Sequence, residues 1–241
     1  MTKTLLQRAL PGLCLVALLA TTAVASTGEG SGEIIRFDFW GFSIAPEPQE
    51  PGDVLQVVAA MNAGTTSVPL ALDFARNEYT VYIHSARLES VVQNGPLIEY
   101  HYDGGYVDLF EDPAFNAPFQ STTSPDEVPP LDPSEVPAYF VDGSHLLRFA
   151  FRDLVTLFYE PAGIGTIAYT ASELRATGGK AYRDLHDMHM TIGWHLGGGY
   201  TNDQGAYIPE GYGMRYDALL QWENPLPVES STWGGIKASF R

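Results

Sequence analysis

The stretch Leu97-Ile98-Glu99-Tyr100-His101-Tyr102-Asp103-Gly104-Gly105-Tyr106-Val107-Asp108-Leu109-Phe110 limits the fold more than any other part of the chain. It alternates with a period of two on both sides of an Asp-Gly-Gly centre, which predicts a β-hairpin. Asp-Gly or Gly-Gly supplies the positive φ that a tight primed turn needs. Either corner puts Ile98, Tyr100, Tyr102, Val107 and Leu109 on one face, with Glu99, His101, Tyr106 and Asp108 on the other. The buried face is therefore fixed even though the corner is not.

Residues 1–25 read as a signal peptide. Lys3 and Arg8 make a basic start, Ala9 to Ala20 is an apolar run too short for a comfortable membrane span, and Ala23-Val24-Ala25 is a small-x-small cleavage pattern. The single cysteine, Cys14, lies in this leader. It is not read as a lipid anchor, because Leu13 precedes it where a small residue is expected. The mature chain, about 216 residues from Ser26, then has no thiol for a disulfide, a nucleophile or a metal site. It must be held by its core. Losing Lys3 and Arg8 leaves 11 of the 13 basic residues against all 29 acidic ones, a formal charge of −18. Such a surface repels phosphate backbones and anionic lipid, so nucleic acid is not an expected partner. Nor is membrane insertion expected after cleavage. The charge suits a secreted, periplasmic or cell-surface protein of bacterial type.

After a flexible lead-in, 26–33, the chain is a series of short β-forming runs. Strands are expected at Ile34–Ile44, Val54–Met61, Val68–Phe74 and Tyr79–Gln93, with Asn94-Gly95-Pro96 turning the chain into the hairpin. Tyr79, Val81 and Ile83 share one face of their run; Thr80, Tyr82 and His84 share the other. From Pro113 to Pro137 seven prolines interrupt the pattern. Proline cannot donate to a sheet ladder, so this is a surface excursion, either a linker between two small domains or a loop within one; a loop within one is the reading preferred. Strands resume at Leu146–Phe151, Leu154–Tyr159 and Ile164–Thr170. A short helix or loop follows at Lys180–Asp187, then strands at Met188–Leu196, ended by Gly197-Gly198-Gly199, and at Gly213–Trp222. The whole predicts an all-β fold: an antiparallel β-sandwich over 34–224, or a closed or partly open β-barrel, with a C-terminal tail at 225–241.

Three kinds of site are candidates. Asp103, Asp108, Glu111 and Asp112 beside the hairpin, or Asn202 and Asp203 in a Gly-rich loop, offer hard oxygens to calcium. His186 and His189, within Asp184-Leu185-His186-Asp187-Met188-His189, would share a face on a helical turn and could hold zinc. His195 would stand roughly 20 Å from His189 along one strand, too far for a common ion. His101, Tyr106 and Phe110 on the outer hairpin face could bind a sugar or a protein surface. No nucleophile elbow or phosphate loop is present, and no pair of carboxylates stands out for glycoside hydrolysis.

The last ten residues, Thr232-Trp233-Gly234-Gly235-Ile236-Lys237-Ala238-Ser239-Phe240-Arg241, resemble a short recurring ending of secreted bacterial proteins. That resemblance implies export and surface handling and nothing catalytic. The other reading is a last strand on the sheet edge. The expected function is a non-catalytic extracellular binding or structural module whose partner is an extracellular protein or glycan. The rivals are a secreted polysaccharide hydrolase and a small outer-membrane barrel.

Overall fold

Strand pairing in the computed structural model is antiparallel throughout, and it runs round in a ring. The structure describes residues 35–62, 70–159, 167–201 and 207–222. The leader, the lead-in, the Asn202–Asp203 loop and the C-terminal tail lie outside the described residues. The strands are β1 (Arg36–Ile44), β2 (Val54–Met61), β3 (Glu78–Asn94), β4 (Leu97–Asp103), β5 (Tyr106–Asp112), β6 (Ser144–Tyr159), β7 (Ile167–Gly178), β8 (Trp194–Thr201) and β9 (Tyr212–Trp222). Two short helices are α1 (Ala138–Val141) and α2 (Tyr182–Asp187).

The stretch expected to be a hairpin is not one. β3 pairs with β4 at Leu88↔Tyr102 and, in the same direction, with β5 at His84↔Tyr106. β6 does the same on the other side, at Leu154↔Tyr102 and Ala150↔Tyr106. Residues 97–112 are thus one bent stave between β3 and β6. Folded on itself, the stretch would satisfy one backbone edge of each arm; laid between two long strands, it satisfies both. Gly104 and Gly105 do have positive φ, 62° and 98°, but they spend it on a bend, beside Ser85 of β3 at φ 60°. A Cβ on Gly105 would come within 2.8 Å of Ala86, so the bend is also a close approach. The tight turn is one element earlier, at Gly95-Pro96. The expected faces hold all the same: Tyr102, Val107 and Leu109 are in the core, with Ile98 and Tyr100 packed against it.

Counting 97–112 once gives eight staves, each paired with its sequence neighbours, and β1–β9 completes the circuit. The all-β antiparallel class stands, and of the two expected forms the pairings give the barrel. Phe37, Phe39, Val57, Val81, Leu109, Phe149 and Leu220 fill its inside. Among the described residues a cavity of about 10 Å³ lies between Phe39, Leu55, Ile83, Leu154 and Tyr216, room for about one water.

Other departures have local causes. Residues 70–77 carry no strand, and Ala138–Val141 forms the helical turn α1 just before β6. Leu146–Tyr159 is one strand, not two, bulged against β7 between Phe151 and Asp153. Strand β8 starts at Trp194 instead of Met188, because the chain first turns at His189 (φ 59°) and Gly193 (φ 87°). The Gly197-Gly198-Gly199 run continues β8 rather than ending it; a Cβ on Gly198 would meet Asp217 O at 2.6 Å on β9.

The proline-rich excursion lies over the outside of the ring. Phe119, Val128, Val136 and Phe140 bury themselves on Trp40, Phe42, Val58 and Tyr212, making a second apolar core. Polar pins hold it: Trp40 Nε1 donates to Ser121 O at 3.1 Å, Thr80 Oγ1 to Phe140 O at 2.7 Å, and Leu131 N to Glu210 O at 3.2 Å. The backbone N–H groups of Asn116 and Ala117 donate to Glu78 Oε1 at 2.8 and 3.0 Å.

Candidate functional site

The outer face beside the excursion, whose core Tyr82 borders, carries a polar cluster on three adjacent strands. Outward alternation on β3 presents Tyr82 and His84, on β5 Tyr106 and Asp108, and on β6 Arg148; His145 joins them past a register shift between Leu109 and Phe110. Asp108 is the centre, 2% exposed. Its Oδ1 accepts from Arg148 Nε at 2.7 Å and lies 3.2 Å from His145 Nε2. Its Oδ2 accepts from Arg148 Nη2 at 2.6 Å and lies 3.0 Å from His84 Nε2. A carboxylate only accepts, so both imidazoles present Nε2–H to it. In a neutral ring Nδ1 is then the acceptor. In His84 it lies 2.8 Å from Ser85 Oγ, which donates to it.

Burial by itself would raise the Asp108 carboxyl. The hydrogen bonds from Arg148 and His84, with the charges of Arg148 and His145, outweigh it and hold the group well below the ordinary carboxylate range. The same pairing raises the Arg148 guanidinium. The fixed cation then stacks: Arg148 lies 4.8 Å from the Tyr106 ring centre. Tyr106 is 5.7 Å from His84, and His84 stacks on Tyr82 at 4.7 Å and 17°. The Tyr82 hydroxyl reaches Gln56 Oε1 at 2.5 Å. The result is a row of π faces, Tyr82, His84, Tyr106 and Arg148, pinned from below by one carboxylate.

Of the sequence candidates, Tyr106 and Asp108 sit in this row. Phe110 is buried, its ring 5.3 Å from His145, and offers no open face. His101 lies beyond the bend, its Nε2 3.1 Å from Glu99 Oε2. The four acids proposed for calcium do not converge. Asp108 is saturated by its cations, Glu111 pairs with Lys180 and accepts from the Tyr79 hydroxyl at 2.7 Å, Asp112 accepts from Ala114 N at 2.8 Å, and Asp103 is exposed across the bend. For zinc, His186 is exposed in the last turn of α2, 3.4 Å from Asp187 Oδ1, and His189 follows in a left-handed turn. Among the described residues no group of three or more His, Cys, Asp and Glu is placed to hold a metal ion.

His84, His145 and Arg148 were not singled out in the sequence. Their signal was outward alternation alone, and they are up to 64 positions apart (84 to 148); only the pairing of β5 with both β3 and β6 makes them neighbours.

Compared with known proteins, the chain matches no family model, no curated sequence and no solved structure.

Proposed function

We propose that this is a secreted extracellular binding module and that the Tyr82–His84–Tyr106–Arg148 row is its contact surface, suited to the flat faces of a glycan. The observation that carries the reading is the use of a buried carboxylate. Asp108 spends all its acceptor positions on holding Arg148, His84 and His145 still, on an outer face whose Tyr82 end abuts the second core. Rigid aromatic and guanidinium planes lose little freedom on binding, which favours them as sugar and protein contacts. The interior cavity among Phe39, Leu55, Ile83, Leu154 and Tyr216 is too small for a ligand, which favours an outside site.

The hydrolase reading has one observation in its favour, the Ser85–His84–Asp108 chain of hydrogen bonds. Against it, Asp108 is already neutralised by Arg148, and the cluster lies on a convex wall rather than in a cleft. The membrane-barrel reading is disfavoured by the ring's polarity: the main apolar cluster is inside, and the outward apolar set of Trp40, Phe42 and Val58 is covered by the excursion rather than left to face lipid.

Affinity electrophoresis through gels containing neutral or uronate polysaccharides tests the proposal. Retardation by at least one of them, lost in Tyr106→Ala, is expected. Migration unchanged in every gel, or retardation that Tyr106→Ala leaves intact, overturns it. Release of sugar or acyl groups by the wild type but not by Ser85→Ala would instead make the protein a hydrolase.

A further inference from the structure

The polar row does not end at Arg148. Strand register carries it one strand further: His84 on β3 stands opposite Tyr106, Tyr106 opposite Ala150 on β6, and Ala150 opposite Arg175 on β7. These four share the outer face, because their chain neighbours Ile83, Val107, Phe149, Phe151, Leu174 and Ala176 are buried in the core. Ala150 is the small member of the line, so the wall has a step between the Tyr106 ring and Arg175. Arg148, two places back on β6 and on the same face, borders that step.

The basic groups around the step are not used up. Asp108 takes Nε and Nη2 of Arg148, which leaves Nη1 without a hydrogen bond among the described residues on a side chain 39% exposed. His145, 35% exposed, gives Nε2 to Asp108, and its Nδ1 has no partner among the described residues. Arg175 is exposed and makes no hydrogen bond or ion pair among the described residues. One buried carboxylate thus faces two guanidiniums and two imidazoles. The acids nearby are engaged or stand further off. Glu111 pairs with Lys180, Asp142 accepts from Asn116 Nδ2 at 2.9 Å, and Glu173 lies two places back on β7, opposite His195. In a chain with 13 basic and 29 acidic residues, two open guanidinium edges beside one alanine are a local reversal of sign.

We propose that the glycan taken by this surface is an acidic one: a uronate lies with its ring face on Tyr106 and its carboxylate over Ala150, between Arg148 and Arg175. The inference rests on the contact-surface reading above and adds the charge of the ligand. A guanidinium presents paired N–H donors that match the two oxygens of a carboxylate. Asp108 already holds Arg148 still, so that side chain loses little freedom on binding, and Arg175 meets the carboxylate from the β7 side. The acidic remainder of the surface repels a densely charged phosphate chain, whereas a short sugar acid puts its charge where the cations are.

Calorimetric titration with trimers of galacturonate, glucuronate and mannuronate, each as the free acid and as its methyl ester, tests the assignment, since esterification removes the charge and keeps the sugar. At least one acid is expected to bind, with its ester weaker by about fivefold, the most that an exposed ion pair gives. Arg175→Gln, which takes no bond from any other described residue, should weaken that acid by about the same factor and leave its ester unchanged. Added salt should weaken the acid and not the ester, while Tyr106→Ala weakens both. Acid and ester bound alike, full affinity for the acid in Arg175→Gln, or an oligothymidylate bound as tightly as the uronates would each overturn the assignment. Uronates left unbound while a neutral polysaccharide is retarded through Tyr106 would sink it and leave the contact surface standing; no binding of either would sink both.

Discussion

Asp108 on the side of the barrel and Glu47 at its end are both carboxyls drawn out of water, and their proton affinities are shifted in opposite directions. Asp108 has a guanidinium and two imidazoles within 3.2 Å, so it stays ionised at the cost of desolvation. Glu47 has one backbone N–H, a serine hydroxyl and tyrosines, none of them charged, so burial wins and its proton is held to about 7. The lesson concerns supply. Three strands side by side can bring cations from distant parts of the chain to one acid. A loop folded over a strand end brings only what the ladder leaves unpaired there.

Removing the cation at the side should have the largest effect. Arg148→Met leaves Asp108 buried with imidazoles alone, and urea unfolding at neutral pH is expected to show a loss of about 3 kcal/mol. Asp108→Asn in the same background should recover part of it, because the stranded charge is then gone. Full additivity of the two changes would mean that the pair is not coupled.

The pH dependence at the end comes next, and its sign is opposite to that of a salt-bridged acid. Glu47 has a folded pKa of about 7 against an ordinary value of 4.5. Its favourable contribution is complete below 4.5 and is lost as pH rises through 7, a fall on the order of 3 kcal/mol. Asp108 is shifted down from 3.8, so its contribution is present above 3.8 and is lost only as pH falls below it. Together they place the greatest stability near pH 4 to 5, measurable as the midpoint of thermal unfolding across a pH series. Glu47→Gln should flatten the decline above pH 5 and leave the acid limb unchanged. A decline of the same size in that variant would remove Glu47 as its cause.

The sequence carried much of this fold and little of its chemistry. Val54–Met61 is a strand with the bounds expected, and the inward set Tyr102, Val107 and Leu109 is buried as the alternation required. Alternation reports which way a side chain points, and it is the same for a hairpin arm and for a straight stave. It therefore could not tell that Asp103-Gly104-Gly105 bends a strand instead of reversing it. That depends on whether β3 and β6 are long enough to flank both arms. Pro113–Pro137 showed that no ladder runs there, but not that Phe119, Val136 and Phe140 would cover Trp40 and Phe42. The two acids fared alike for a related reason. Asp108 was picked out for its neighbours in sequence, Glu111 and Asp112, whereas its partners come from other strands. Glu47 drew no notice among Pro46, Pro48 and Pro51, since nothing local says that a loop glutamate will be folded under.

Smaller substitutions separate the two acids further. Ser43→Ala removes a hydroxyl 2.6 Å from Met214 N and in contact with Glu47, and should cost about 1 kcal/mol, the worth of one buried hydrogen bond. Tyr106→Ala should cost less in stability than any of the others. Tyr106 stacks on Arg148 and His84 from the solvent side and donates nothing to Asp108, so the four contacts that hold the carboxylate survive its loss. What changes is the freedom of the guanidinium plane above. A loss below about 1 kcal/mol by urea unfolding, with glycan retardation abolished, is the expected pair of results, since exposed cation–π contacts are worth about that. A large loss of stability would instead make Tyr106 part of what holds Asp108, and the row would then be a structural clamp.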